Sequence, residues 1–292
     1  MNSASERLLF GPAGIPLSTP QPSLLKAIQR VKELGLACLE VEMVRGVRLA
    51  TETARAVHQE AEKLGIALSV HAPYSINLLS PETGRRLSSQ EQLLAAARLA
   101  DLCGARSLVF HAGFYGQNTS MRAIQSLQET LKEVFSRLHQ EKNRVGLRVE
   151  TMGKKSQFGT LEEVLILCQE VPGLQPCLDF SHLYAREGAA NGYRHFVRIL
   201  TKVEKKLGSR ALHNLHLHVS GVQFGLKGEI KHLNLRHSDF LWEELIMALQ
   251  DMEAAGLVIC ESPSLESDTL MLQNYYLAYR EKMKRYTKAN ES

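Results

Sequence analysis

Six side chains able to bind a metal ion each close a short apolar run in this chain: His71, His111, Glu150, Asp179, His218 and Glu261. The runs before them, residues 67–70, 107–110, 145–149, 175–178, 215–217 and 257–260, have the length and composition of buried strands. Taken singly, each polar residue has an ordinary explanation. His71 could bond a turn, His111 could be a partly buried core histidine, and Glu150 could pair with Arg148. Independent structural roles would not put all six at the same point of successive units. Carboxylates and imidazoles are costly to bury unless paired or coordinated, so their recurrence predicts a functional centre. Mixed oxygen and nitrogen donors suit zinc, manganese or iron better than magnesium or calcium.

Something must bring residues so far apart in sequence to one place. Helical spacing of apolar residues alternates with the strand-like runs, giving strand and helix pairs at 7–10 and 23–34, 37–43 and 51–64, 66–71 and 88–103, and 106–111 and 121–140. Four more pairs follow at 145–150 and 161–171, 175–179 and 193–207, 213–219 and 239–255, and 257–261 and 269–284. Gly65, Gly104 and Gly256 punctuate helix ends before the next strand. Eight such units predict an α/β fold, a single (β/α)8 TIM barrel over residues 1–292. A barrel gathers the C-terminal ends of all its strands on one face, whereas an open sheet would spread them along an edge. Segments 72–87 and 220–238 are then expected to be long loops over that face.

The composition limits the alternatives. At 292 residues and 44% hydrophobic, the chain can bury a large core. A net charge of +4 permits a polyanionic partner without demanding one. Cys38, Cys103, Cys168, Cys177 and Cys260 sit in apolar runs without a Cys-x-x-Cys spacing, as expected of reduced core residues in a cytoplasmic protein. The first residues have no signal-peptide pattern, and no run approaches membrane-span length.

Other candidates flank the strand ends. His182 follows Asp179 by three residues and can turn back toward the mouth from the loop after the sixth strand. His216 and His218 share one strand face, with His218 nearer the mouth and His216 expected behind it or packed in the core. His232 and Glu229 lie in the loop after the seventh strand. Tyr74 in segment 72–87 and the basic residues Arg45, Arg48, Arg85, Arg86, Lys154 and Lys155 follow strand ends and stand around the expected mouth.

Three motifs sharpen the reading: His71-Ala-Pro-Tyr-Ser-Ile-Asn-Leu78, Asp179-Phe-Ser-His182, and the strand-terminal Glu150-Thr and Glu261-Ser. Together they resemble the endonuclease IV family of apurinic/apyrimidinic-site nucleases, within the xylose isomerase-like TIM barrel superfamily. The resemblance implies a trinuclear zinc centre. His71, His111 and Glu150 would hold one ion. Glu150 as a bridge, Asp179, His218 and Glu261 would hold a second, and His182 and His232 a third. It implies catalytic roles for Glu150 and Glu261, with Glu261 orienting or deprotonating the nucleophile. It also implies a monomer acting on double-stranded DNA at abasic sites, cutting on the 5′ side in base-excision repair, with Tyr74 a candidate wedge in the gap left by the missing base and Arg45, Arg48, Arg85, Arg86, Lys154 and Lys155 placed to meet phosphates. The chain departs from the pattern after the seventh strand, where Ile230 stands two residues before His232 in place of an aspartate ligand. Either Glu229 substitutes from one position earlier or the third ion is weak or absent, so two or three zinc ions are expected, with manganese an alternative.

Two rivals share the barrel. A sugar isomerase or epimerase would hold one ion with Glu150, Asp179, His218 and Glu261 and leave His71, His111 and His182 without evident use. A non-catalytic DNA-binding barrel would follow if the third ion were lost.

Overall fold

In the computed structural model of the chain, residues 8–43, 46, 49–188 and 191–290 are described, with side chains up to residue 286. In chain order the elements are β1 (Leu8–Pro12), α1 (Leu24–Glu33), β2 (Cys38–Glu42), α2 (Thr51–Leu64), β3 (Ala67–His71), α3 (Thr83–Leu102), β4 (Ser107–Phe110), α4 (Ser120–Gln140) and β5 (Gly146–Glu150). They continue with α5 (Leu161–Glu170), β6 (Gln175–Asp179), α6 (Phe180–Glu187), α7 (Tyr193–Leu207), β7 (Leu215–Val219), β8 (Gly221–Gly225), β9 (Gly228–Leu233), α8 (Trp242–Asp251), β10 (Gly256–Cys260) and α9 (Glu266–Asn290). Eight parallel strands run in the order β1-β10-β7-β6-β5-β4-β3-β2. The seam between β1 and β2 is drawn together by Ala37 N donating to Phe10 O at 3.0 Å and Gly14 N to Glu40 O at 2.9 Å. Gly11 makes this approach possible, because a Cβ there would lie 1.8 Å from Cys38 O. The expected (β/α)8 barrel is the observed fold.

Alternation along each strand sorts the side chains. Leu39, Val41, Leu68, Val70, Leu108, Phe110, Leu147, Val149, Leu217 and Val258 join the large apolar core shared with the surrounding helices. Helix α1 buries Ala27, Ile28 and Val31, and α2 buries Ala54, Val57 and Ala61, at the spacing read from the sequence. Inside the barrel, Cys38, Ala67, Leu257 and Ile259 form a separate apolar cluster. Much of the remaining interior is polar: Glu40, Ser69, Ser107, Arg148 and His216 are all buried, with Val109 and Cys177 among them. Arg148 does not pair with Glu150. Its Nη1 donates to Pro176 O at 3.1 Å and its Nη2 to Asn214 O at 2.9 Å.

Three expectations need correction. Segment 72–87 is not loop throughout: α3 begins at Thr83, so Arg85 and Arg86 stand on its first turn. Arg85 pairs with Glu82 at 2.9 Å, and Arg86 Nη1 donates to Ser80 O at 3.0 Å. The helix expected over 88–103 starts five residues earlier, and Ser89 Oγ within it accepts from Asn77 N at 3.0 Å, tying it to the preceding loop. Segment 220–238 carries the antiparallel β8–β9 hairpin. His182 lies on the short helix α6 rather than in a loop. Arg45 and Arg48 lie outside the described residues. No helix among the described residues is long and apolar enough to cross a membrane. All five cysteines are buried and free.

Candidate metal centre

His71, Glu150 and Asp179 are the last residues of β3, β5 and β6. His111 and Glu261 follow the ends of β4 and β10, and His218 is next to last in β7. The parallel register puts these ends on one face of the barrel, and the structure brings all six together.

Glu150 is the hub. Its Oε2 lies 3.2 Å from His71 Nε2 and 2.9 Å from His111 Nε2. Its Oε1 lies 3.1 Å from His182 Nδ1 and 3.4 Å from His218 Nδ1. His71, His111 and Glu150 form one group whose donor atoms all lie within 4.8 Å of one another; Glu150, Asp179, His218 and Glu261 form a second. His71 Nδ1 is 2.8 Å from Ala72 O, an acceptor that places the proton on Nδ1 and leaves Nε2 to face Glu150.

Asp179, His182 and His232 form the third group. Asp179 caps α6, its Oδ1 accepting from His182 N at 2.7 Å, which fixes His182 one turn on. Across the group, His182 Nε2 lies 3.3 Å from Glu229 Oε2 and 3.4 Å from His232 Nε2. Glu229 and His232 are three residues apart, and a regular strand would send them to opposite faces. The hairpin register avoids this. Gln223 faces Lys231 while Phe224 faces Glu229, so Ile230 is an extra residue that resets the alternation. Glu229 is thereby brought beside His182 and His232, although residue 230 is isoleucine. Gly153 leaves room for it, since a Cβ there would come 2.7 Å from Glu229 Cβ.

Two carboxylates were missed by sequence reasoning, Glu40 and Glu42 of β2. Glu40 Oε1 lies 2.8 Å from His218 Nε2, its Oε2 lies 3.0 Å from His216 Nε2, and Oε2 also accepts from Ser69 Oγ at 2.7 Å. The signal was present, because alternation in Cys38-Leu-Glu-Val-Glu42 puts both acids on the inner face. His216 lies beneath His218, with Nδ1 2.9 Å from Ser107 Oγ. Tyr74 stacks on His111, with centroids 5.2 Å apart and planes at 16°, and its hydroxyl donates to Glu42 Oε2 at 3.2 Å. The ring is therefore fixed as a wall of the site, with 46% of the residue exposed.

Burial opposes charge throughout the centre, and neighbouring charges decide which groups keep it. Burial resists ionisation of Glu150, but His111 and His218 outweigh it and hold the carboxyl well below the usual range. Burial likewise opposes protonation of His71 and His182, yet Glu150 with Glu42, and Asp179 with Glu150, push them up to about 10. Burial dominates at Asp179 and Glu42, both raised to about 7. His111 is lowered by burial. Protons and cations compete for such nitrogen atoms, so ion binding here would release protons. Asp179 Oδ2 and Glu261 Oε2 are buried without a hydrogen-bond donor. Orphaned anionic oxygens beside several imidazoles fit divalent cations, and these groups could hold them.

Above the donors opens a cavity of about 430 Å³, lined among others by Tyr74, Phe114, Lys154, Glu229, His232 and Glu261. Lys155 flanks it, its amide donating to Lys227 O at 3.1 Å and tying this loop to the hairpin.

A chain of this architecture, with imidazoles and carboxylates ringing the mouth, is a member of a known group: residues 28–285 match the xylose isomerase-like TIM barrel family, and the chain belongs to it. Within that family it resembles the endonuclease IV proteins. A probable endonuclease 4 of Aquifex aeolicus is 26% identical, covering 70% of this chain and 74% of its own length. An uncharacterised protein of Methanocaldococcus jannaschii is 38% identical over 92% of this chain and 97% of its own. Among solved structures, endonuclease IV from Thermus thermophilus has a TM-score of 0.70 at 22% identity, covering 93% of this chain and 99% of that one. A D-tagatose 3-epimerase-like protein has a TM-score of 0.72 at 16% identity, covering 94% and 99%. At these identities the two structures bear on the fold alone.

Proposed function

We propose that this protein is a zinc- or manganese-dependent endonuclease that hydrolyses the DNA backbone on the 5′ side of abasic sites. One observation carries the reading: the donors exceed what one ion needs. Glu150, Asp179, His218 and Glu261 make a complete single-ion set, and His71 with His111, and His182 with His232 and Glu229, add two more groups around it. A buried surplus of imidazoles is costly unless used. The likeness to endonuclease 4 proteins supports the same reading.

His71, His111 and Glu150 would hold one ion, Glu150, Asp179, His218 and Glu261 a second, and His182, His232 and Glu229 a third. Clustered divalent ions supply an activated water and neutralise charge on phosphate oxygens. The chain's own residues do the rest. Glu261, its carboxylate lowered by His218 and His232 against the pull of burial, is ionised and able to accept a proton from an attacking water. Lys154, on the cavity wall, and Lys155 beside it meet the DNA backbone, with Arg85 and Arg86 on the first turn of α3 as further phosphate contacts. Tyr74, braced on His111, bounds the space into which a baseless nucleotide is extruded, a step that costs less than flipping an intact one.

The test is a duplex oligonucleotide carrying one tetrahydrofuran abasic analogue. Incision leaving a 3′-hydroxyl, abolished by chelator and restored by zinc or manganese, is the expected result. No incision with any divalent ion contradicts the proposal, and tight binding without cutting would favour a DNA-binding barrel. A single-ion sugar epimerase remains the second reading, favoured by the complete Glu150, Asp179, His218 and Glu261 set. Turnover of a ketose by protein holding one ion would establish it.

A further inference from the structure

Beneath the candidate ions lies a polar layer with no counterpart in the motifs that carried the resemblance. It comprises Glu40 from β2, Ser69 from β3, Ser107 from β4 and His216 from β7, all buried inside the barrel. Barrel interiors are ordinarily filled by branched apolar side chains, and a buried carboxylate there needs a reason.

Its contacts point upward to His218. That ring lies between two carboxylate environments, with Nδ1 3.4 Å from both Glu150 Oε1 and Glu261 Oε1 at the mouth. Nε2 lies 2.8 Å from Glu40 Oε1 below. A neutral imidazole offers one lone pair and one proton. Only if the proton sits on Nε2 is Nδ1 free to bind a cation held by Glu150 and Glu261. We infer that Glu40 is a positioning residue: its carboxylate, in close ion contact with Nε2 of His218, favours the proton on that nitrogen and so leaves the Nδ1 lone pair toward the ions.

The rest of the layer steadies Glu40. Its other oxygen accepts from Ser69 Oγ at 2.7 Å and meets His216 Nε2 at 3.0 Å, while His216 Nδ1 is backed by Ser107 Oγ at 2.9 Å. One protonation pattern suits every contact: Ser69 donates to Glu40 and Ser107 to His216 Nδ1, while the Nε2 edges of His216 and His218 face the Glu40 carboxylate in ion contact without a formed hydrogen bond. Carboxylates placed behind ligand histidines in this way typically raise metal affinity 10- to 100-fold.

The inference rests on the metal-centre reading, and its test separates the two. Metal content and competition against a chromogenic chelator are measured for the purified protein and for Glu40→Gln, Glu40→Leu and Cys177→Ala. Folding is checked by circular dichroism, and nitrogen-15 NMR of labelled histidine reports the tautomer. The unaltered chain should bind more than one zinc ion and show His218 protonated at Nε2. Glu40→Leu should weaken one ion at least tenfold and leave the others, with Glu40→Gln, which keeps the shape without the charge, losing less. Cys177→Ala should change nothing. If the unaltered protein binds no zinc, the metal-centre reading itself fails. If it binds zinc and folded Glu40→Gln and Glu40→Leu match it, the role of Glu40 is overturned. Should Glu40→Leu not fold, unchanged affinity in Glu40→Gln with an unchanged His218 tautomer overturns it alone. Loss of a whole ion in Cys177→Ala would make Cys177, His216 and His218 a metal site in their own right and also overturn the inference.

Discussion

The barrel interior has two sides built on opposite principles. One is apolar, where Cys38 of β2, Ala67 of β3, and Leu257 and Ile259 of β10 pack together and only closure is at stake. The other is polar, with Ser107, Arg148 and His216 each held by hydrogen bonds or ion contacts. The apolar side stabilises the fold by burial. The polar side spends stability on orientation, since buried ionic groups seldom add net stability but do hold each other in place. Function therefore sits above the side that is poorer at holding the protein together.

Four substitutions test that contrast, from the largest effect to the smallest. Glu150→Gln removes the hub charge from among His71, His111, His182 and His218. We expect incision to fall by at least about 10³-fold, a loss of roughly 4 kcal/mol, while thermal melting still shows a folded barrel. Retained activity would remove Glu150 from the mechanism. On the apolar side, Ile259→Ala should cost about 2–5 kcal/mol in denaturant unfolding with zinc content unchanged. A drop in zinc content would show that the two sides are not separable.

Ser107→Ala, on the polar side, leaves buried His216 Nδ1 without its partner and should cost about 1–3 kcal/mol. Glu163→Gln lies outside the barrel interior. Glu163 completes the capping box with Thr160 and accepts from Tyr115 at 2.6 Å. Burial resists its ionisation, but hydrogen bonds from Ser120, Tyr115 and Thr160 lower its carboxyl below the ordinary value. A carboxylate lowered on folding stabilises the protein above the unfolded pKa, about 4.3, and that stability disappears as pH falls through the folded value. The wild type should thus exceed Glu163→Gln by about 1 kcal/mol near pH 7, with the two converging in acid. A gap that widens in acid would refute the assignment.

Much of the centre was legible because a barrel strand is an apolar run that ends at the mouth, so a polar residue closing each run is conspicuous. His71, His111, Glu150, Asp179, His218 and Glu261 all followed from that pattern and meet in space. Glu40 and Glu42 did not, since they interrupt the apolar alternation of their strand rather than close an apolar run. Reading β2 with a period of two would have placed both inside. The β8–β9 hairpin was hidden because its apolar signal is short, only Val222 and Phe224 at a period of two, and the bulge at Ile230 breaks any alternation in β9. For the same reason the use of Glu229 in place of residue 230 could be anticipated but had no pattern to fix it, as it depends on a bulge visible only in the pairing register. The early start of α3 escaped because its first residues, Thr83-Gly-Arg-Arg86, carry no apolar residue to mark a helical period.

The central claim is that scattered imidazoles and carboxylates at this mouth hold several cations rather than one. The most direct measurement is the zinc and manganese content of the purified chain by elemental mass spectrometry, before and after dialysis against a weak chelator. Two or three tightly held ions per chain are predicted. A single ion, unaffected by substituting His71 and His111, would contradict the account.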